Sequence, residues 1–278
     1  MIPDNQTNFL YLADCLPKKY LTFFKSFEEL LNECKIDFAL IPHTKDVWAV
    51  DFMPVQTAGN NFVQFTYNPS YLQFKKWLPT ISDVDAICAA MVLPTLKTDI
   101  VLDGGNVVRS AHKAIMTDRI FKENPQPKRK ELIKKLHELL QIDKLYLVPE
   151  QPGDFTGHSD GMVRFIDEDT VVINDYSKEK DWFKRAFEIA IHNTGLEYET
   201  LPYSVEQNKT NMQANGDYIN YLQMQNCVIV PTFNKDADES AVSTLKEIFP
   251  GQTIKTIDCS EIADHGGVLN CISWNITK

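Results

Sequence analysis

The sequence predicts an α/β protein built from five units of similar length, in a stacked or radial arrangement. Helical and strand-like segments alternate along all 278 residues, and no linker or low-complexity stretch divides them. Five polar positions, 51, 103, 158, 220 and 271, recur at intervals of 52, 55, 62 and 51 residues. A near-constant period of this size is typical of repeat folds. We therefore expect one domain over residues 1–278, and a radial arrangement would bring the five polar side chains together.

Four segments have the apolar spacing of amphipathic helices. In the first of them, Phe23, Phe27, Leu30 and Leu31 fall on one helical face. Glycine or proline ends two of the others. The four predicted helices are 23–33, 127–140 with Pro127 near its first turn, 181–195 stopping at Gly195, and 238–251 stopping at Pro250–Gly251.

Short runs rich in β-branched and aromatic residues lie between these helices and predict strands. Eight such runs are evident, and they are distributed evenly along the chain. The predicted strands are 8–13, 37–42, 61–67, 99–104, 144–149, 169–174, 226–233 and 253–259.

Composition excludes several classes of function. The formal charge is −10 and no long basic run is present, so a nucleic-acid partner is not expected. No apolar run approaches the roughly 20 residues of a membrane helix, and no secretory signal is evident, so we expect a cytoplasmic protein. The six cysteines form no CxxC pair, which argues against a zinc ribbon or a redox motif.

The segment GGVLNCISWN (266–275) places Cys271 among small and β-forming residues behind a Gly-Gly turn. A buried core thiol is the simpler interpretation, and a nucleophile delivered by the last strand is the alternative.

The segment GHSDG places His158 and Asp160 two residues apart, on one side of an extended chain. A carboxylate beside imidazole stabilises the imidazolium and makes it a competent acid. A surface turn or a metal pair are the competing interpretations.

Three further polar residues complete the set. Asp103 stands before a Gly-Gly turn in LDGGN, Asp51 ends the run DVWAV, and Asn220 lies in GDYINYL. Each could be an ordinary turn or cap residue, and Trp48 is more often core than ligand platform. Cysteine with histidine supplies a nucleophile and a proton carrier. The additional carboxylates are acceptors, which suit the N–H donors of a guanidinium better than an oxyanion.

These motifs resemble those of the agmatine deiminase and Porphyromonas-type peptidylarginine deiminase family. The similar segments are DGGN, GHSDGMVRF, the run from GDYINYL to TIDC, and GGVLNCIS, in the same order from about Asp46 onward. The resemblance implies the five-bladed α/β propeller, or pentein, fold with pseudo-fivefold symmetry. It also implies a guanidino-group deiminase that needs no metal or organic cofactor.

Residue roles follow from the resemblance by position. Cys271 is expected to be the nucleophile and His158 the general acid and base, with Asp103 holding His158. Asp51 and Asp160 are expected to anchor the guanidinium, and Asn220 to organise the site near the thiol. We add Trp48 and Asn106 as candidate substrate contacts.

The sequence also departs from the family. Agmatine-type members usually have Glu where Asp103 stands, and the segment FTYNPSYLQFKKW lacks both the Arg-x-Arg of Porphyromonas-type members and the Trp-Gly-Gly of agmatine deiminases. The missing arginines favour agmatine, which has no carboxylate, as substrate, with N-carbamoylputrescine as product.

Four alternatives remain open: a deiminase of peptidyl-arginine or another guanidine, an amidinotransferase, a guanidine-binding scaffold without activity, and a cysteine protease. The expected partner is a small cationic guanidino substrate, with no nucleic acid or membrane, and with a homodimer as a possible assembly.

Overall fold

The computed structural model describes residues 1–206 and 208–278, which form five three-stranded sheets of the same design. In each sheet the middle strand pairs antiparallel with one neighbour and parallel with the other. This repeated unit confirms the five-unit α/β fold expected from the spacing of the polar residues. The strands are β1 (Phe9–Ala13), β2 (Asp37–Ile41), β3 (Val55–Gln56), β4 (Phe62–Thr66), β5 (Leu96–Val101), β6 (Val108–Arg109), β7 (Lys113–Thr117), β8 (Lys144–Val148), β9 (Val163–Phe165), β10 (Thr170–Asn174), β11 (Glu197–Leu201), β12 (Leu222–Met224), β13 (Cys227–Thr232), β14 (Thr253–Asp258) and β15 (Ser273–Ile276). The strand orders of the five sheets are β15-β1-β2, β3-β4-β5, β6-β7-β8, β9-β10-β11 and β12-β13-β14.

The parallel pair of each sheet is joined through a helical crossover. The helices predicted from periodicity are confirmed with small shifts at their ends, and α7 stops at Gly195, whose φ of 71° suits glycine. The helix over 84–90 was missed, and it begins where Asp83 accepts a hydrogen bond from Ala86 N at 3.0 Å. The helices are α1 (Leu16–Lys19), α2 (Leu21–Glu33), α3 (Ala49–Phe52), α4 (Val84–Ala90), α5 (Arg119–Glu123), α6 (Arg129–Leu140), α7 (Asp181–Thr194), α8 (Ala237–Ile248) and α9 (Ser260–Ala263).

The core lies between the sheets and the helices that cover them. In α6, for example, Leu132, Leu136 and Leu140 are fully buried and belong to the same cluster as Ala114 and Met116 of β7. Their spacing of four residues keeps the three leucines on one face of the helix. The charged residues between them face solvent, which explains why this helix is readable from sequence.

The five polar landmarks all occupy equivalent places in the repeat. Asp51, Asp103, His158, Asn220 and Cys271 each stand a few residues before the first strand of a sheet. One local prediction is wrong, because Asp160 lies in a turn rather than an extended segment. Asp51 belongs to the short helix α3.

The first sheet is closed by the last strand of the chain. β15 pairs antiparallel with β1, with Phe9 opposite Ile276 and Leu12 opposite Ser273, while β2 pairs parallel on the other side of β1. The strand that follows Cys271 therefore completes the sheet formed by the first strand and β2.

A largely buried ionic network connects residues on the first strands of several sheets. Asp4 accepts hydrogen bonds from Arg109 Nη2 at 2.8 Å and from Arg164 Nη2 at 2.6 Å. Asn275 donates to Asp4 Oδ1 at 3.2 Å, and Arg164 Nη1 donates to the carbonyl of Tyr221 at 3.0 Å. Burial opposes ionisation of Asp4, but the two guanidinium groups outweigh it and hold the pKa of that carboxyl below its usual range.

Among the described residues, none of the helices is both long and apolar enough to cross a membrane.

We predict that Asp4→Asn lowers the free energy of unfolding by about 3 kcal/mol at neutral pH, because it leaves two largely buried guanidinium groups without their anion. Since the pKa of Asp4 is depressed in the folded state, this contribution is present above about pH 4 and is lost as the pH falls further. Urea unfolding measures both effects. The control Asp37→Asn, at an exposed position, should change stability by less than about 0.5 kcal/mol. Equal losses in both variants would contradict the role of the network.

Candidate active site

A cavity of about 430 Å3 opens where the segments preceding the first strands meet. Its wall includes Asp51, His158, Asp160, Asn220 and Cys271. Asp103 lies directly behind His158 and is itself buried. The structure therefore brings together the side chains that the sequence placed at near-equal intervals.

Hydrogen bonds join the landmark segments into a closed ring. Each bond connects one unit of the repeat to the next, so the side chains of the site are fixed relative to one another. The bonds run from Gly105 N to Asp51 Oδ1 (3.2 Å), from Asp160 N to Gly105 O (3.1 Å), from Asn220 Nδ2 to Asp160 Oδ2 (3.4 Å), from Cys271 N to Asn220 Oδ1 (3.2 Å) and from Val50 N to Cys271 O (3.3 Å).

Gly105 allows this close approach. A Cβ atom there would lie 2.6 Å from Asp51 Oδ1 and 2.6 Å from His158 Nδ1, closer than any side chain allows. The Gly-Gly of LDGGN is therefore required by space around the site, since the turn Gly104–Asn106 packs directly against an imidazole and a carboxylate.

His158 lies between two carboxylates. Its Nε2 is 3.0 Å from Asp103 Oδ2, and its Nδ1 is 3.4 Å from Asp51 Oδ1. Burial alone would lower the pKa of His158, but the charges of Asp51 and Asp103 and the hydrogen bond to Asp103 outweigh it and raise the pKa to about 10. At neutral pH the ring is therefore an imidazolium, able to donate a proton.

The thiol of Cys271 is also protonated when no ligand is bound. Burial, followed by the negative charges of Asp160 and Asp51, raises the pKa of its thiol well above the usual range. The carboxamide of Asn220 donates to Sγ at 3.3 Å, and Sγ lies 3.7 Å from Asp160 Oδ2. In the absence of a cation the sulfur therefore carries its proton, and a bound cation would favour the thiolate.

Asp160 is held on one side only. Its Oδ2 accepts from Asn270 Nδ2 at 2.7 Å and from Asn220 Nδ2 at 3.4 Å. Within the described residues Oδ1 takes part in no hydrogen bond, and the residue lines the cavity. Asp51 has the same arrangement, with Oδ1 on Gly105 N and His158 and with Oδ2 unengaged by the described residues. Each carboxylate thus keeps one oxygen for a ligand.

The two added candidates lie in different places. Trp48 lines the cavity, and its ring packs so close to the Gly-Gly turn that a Cβ on Gly267 would lie 2.6 Å from its Cζ3 atom. Asn106 faces inward instead: its Oδ1 accepts from the backbone N–H and the hydroxyl of Thr117 at 2.8 and 3.1 Å. That position fits support of the LDGGN turn rather than contact with a substrate.

The cavity wall is strongly acidic. Within the described residues no lysine or arginine lines it, whereas seven carboxylates and several aromatic rings do. An enclosed wall of one charge sign attracts ligands of the opposite charge. The acidic lining residues are Asp46, Asp51, Asp154, Asp160, Glu179, Glu206 and Asp217.

Three residues of the site were missed from the sequence. Tyr71 donates a hydrogen bond to Asp103 Oδ2 at 2.7 Å, and Asn270 holds Asp160. Asp217 lines the cavity, and burial together with the charges of Asp160 and Asp154 raises its pKa well above the usual range. Asn270 and Asp217 stand inside recognised motifs, so their positions were a usable signal. Tyr71 gave none.

In the part of the chain that the structure describes, no group of three or more His, Cys, Asp or Glu side chains is arranged to hold a metal ion.

Comparison with known families gives one match over most of the chain. The sequence model of the Porphyromonas-type peptidyl-arginine deiminase family matches residues 18–276. A relative from Mycoplasma mycoides with the provisional name agmatine deiminase is 22% identical over 226 residues, which cover 67% of this chain and 60% of the relative. The matched region therefore spans less than two thirds of the length of that curated relative.

Solved structures share the fold. The agmatine deiminase of C. jejuni superposes with a TM-score of 0.82 at 19% identity, covering 100% of this chain and 95% of the other. The DDAH of Pseudomonas aeruginosa gives a TM-score of 0.61 at 11% identity, covering 98% and 100%. These likenesses confirm the five-bladed α/β propeller of the pentein type.

We predict that Gly105→Ala lowers the free energy of unfolding by about 1–3 kcal/mol, because the added methyl group forces apart buried groups that cannot move independently. Gly251→Ala is the matched control, since a Cβ at that exposed turn meets no atom within 4 Å. It should be neutral or slightly stabilising. Urea unfolding of both variants provides the measurement, and a neutral Gly105→Ala would show that the turn has room to spare.

Proposed function

Because the chain belongs to the Porphyromonas-type peptidyl-arginine deiminase family, we propose that it hydrolyses the guanidino group of a small cation, releasing ammonia and a ureido product. The observation that carries this proposal is a half-buried thiol and an imidazolium in one acidic cavity whose described lining has no lysine or arginine. A guanidinium fits such a wall because it presents planar N–H donors and a positive charge.

Asp51 and Asp160 hold the guanidinium in this proposal. Each has one oxygen fixed by protein donors and one oxygen that no described residue engages. Two carboxylates accepting from one planar cation fix both its position and its plane. Since Asp160 Oδ2 lies 3.7 Å from Cys271 Sγ, a guanidinium held there has its carbon beside the sulfur.

Cys271 and His158 then divide the chemistry. Burial and nearby negative charges raise the pKa of Cys271, and the bound cation offsets those charges, so the thiol loses its proton to solvent. The thiolate then attacks the guanidino carbon to form a tetrahedral adduct. His158, protonated at neutral pH, donates a proton to one amino group of this adduct, and the C–N bond breaks to release ammonia and leave a covalent thiouronium on Cys271. The neutral imidazole takes a proton from water as its oxygen attacks the same carbon, and the sulfur departs to leave the ureido product.

Agmatine is the substrate we favour. It has a guanidinium at one end, an ammonium at the other and no carboxylate. Among the described lining residues, Asp154 and Glu179 add negative charge beyond the Cys271 region, while no lysine or arginine is present to bind the carboxylate of free arginine. A dication therefore suits the wall better than a zwitterion.

An ammonia-release screen tests the proposal on agmatine, arginine, arginine peptides and methylguanidines. We predict release from agmatine without any added amine, which distinguishes hydrolysis from amidino transfer. Cys271→Ser should lower the rate by more than about a thousandfold, since loss of a nucleophile removes most of the rate enhancement. Cys15→Ser, whose thiol lies outside the cavity wall, is the matched control and should keep its rate. Turnover of none of these guanidines would refute the proposal.

We also predict that chloroacetamidine alkylates Cys271 faster than neutral chloroacetamide does, and that this preference is absent at Cys15. The reason is that the amidinium is held by Asp51 and Asp160, whereas the neutral reagent is not. Asp160→Asn should reduce the preference at Cys271 by about 10-fold or more, the equivalent of one charged hydrogen bond. Peptide mass spectrometry gives the rate at each cysteine. Equal rates for both reagents at Cys271 would rule out a cation site beside the thiol.

A further inference from the structure

The carboxylate of Asp103 is held through a single oxygen. Both of its hydrogen-bond partners, the hydroxyl of Tyr71 at 2.7 Å and Nε2 of His158 at 3.0 Å, engage Oδ2. The other oxygen, Oδ1, is buried and has no partner among the described residues. Tyr71 and His158 therefore share one oxygen of Asp103, and no other donor in the described structure engages this carboxylate.

Tyr71 is well placed for this. The residue is buried, and its ring meets the His158 ring edge-on with 6.0 Å between centroids. Phe155 packs against it at 5.1 Å, and the Arg119 guanidinium lies 5.3 Å from its ring centroid. Burial and the charge of Asp103 raise the pKa of Tyr71 well above the usual range, so the hydroxyl remains a donor at every working pH.

We propose that Tyr71 is a positioning residue, whose hydroxyl holds Oδ2 of Asp103 and disperses the charge with which that oxygen binds the imidazolium proton. This inference rests on the proposed function only in calling His158 the proton carrier. The physical argument is that a carboxylate oxygen sharing its charge with a hydroxyl is a weaker acceptor for a second donor. Without that hydroxyl, His158 is the only remaining partner of Asp103 in the described structure and keeps its proton more tightly.

The consequence for a two-step reaction is specific. His158 must first give a proton and afterwards, as the neutral base, accept one from water. The groups that face it are Asp51, Asp103, Asp160, Cys271 and the two tyrosines Tyr67 and Tyr71. Since three of these are carboxylates, the proton is already tightly bound, and Tyr71 acts to loosen it. Its loss should slow the second step more than the first.

The direct test is a 13C-histidine NMR titration of His158, which needs no substrate. We expect Tyr71→Phe to raise the pKa of His158 by about one unit, a fraction of the energy of one charged hydrogen bond. Tyr67→Phe is the matched control, because it removes a hydroxyl that bonds to no described residue, and it should leave the pKa unchanged. An unchanged pKa in folded Tyr71→Phe would overturn the proposal, and so would equal shifts in both variants.

Two further comparisons keep the result interpretable. In an Asp103→Asn background, Tyr71→Phe should cause no additional shift, because the two act as one unit; a full shift there would overturn the proposal. If Tyr71→Phe does not fold, 3-fluorotyrosine at position 71 replaces it. That ring is a stronger donor, so the pKa of His158 should fall instead of rise, and no shift would again overturn the proposal.

With agmatine as substrate, Tyr71→Phe should lower kcat by about 10-fold with little change in KM, and a cysteine adduct should accumulate in mass spectra. A rise in KM alone would instead show that Tyr71 contacts the substrate and does not position Asp103. Should the parent protein release no ammonia from any guanidine, the proposed function fails, while the NMR titration still decides the role of Tyr71.

Discussion

The structure depends on holding like-charged groups together away from water. Asp51, Asp103 and Asp160 are all buried around one imidazole, an arrangement that is costly unless every charge is paired or hydrogen-bonded. His158 compensates two of the carboxylates, and two carboxamides hold the third. Because each donor comes from a different unit of the repeat, the carboxylates gain these partners only when the ring of five units closes.

The electrostatic result is a site that is unsatisfied until a cation enters. Burial and the nearby anions together keep the proton on the thiol, whereas on the imidazole the anions keep the proton against the effect of burial. A bound guanidinium adds one positive charge near both groups, which favours loss of the proton from the thiol and from the imidazolium. Selectivity and activation therefore have a common cause, and a neutral ligand of similar shape would gain neither.

Much of this arrangement is visible in the sequence because polar residues stand out where apolar runs end. Asp51, Asp103, His158, Asn220 and Cys271 could be found from spacing and motif, and the longer helices from their apolar stripes. The short strands β3 (VQ), β6 (VR) and β12 (LQM) could not be found from the sequence, because they are too short to show an alternating pattern. Tyr71 was also invisible: it lies 32 positions from Asp103, and only the fold brings its hydroxyl to that carboxylate.

The pairing of β15 with β1 has a consequence for the order in which the protein folds. This contact joins residues near 10 to residues near 275, so its loop-closure entropy is among the largest in the fold, and contacts of this kind tend to form late. Cys271 lies just before β15, so a nascent chain has no assembled thiol pocket until its final sheet closes. The same logic runs in reverse, because fraying of β15 would disperse the reactive centre long before the remaining sheets lose their cores.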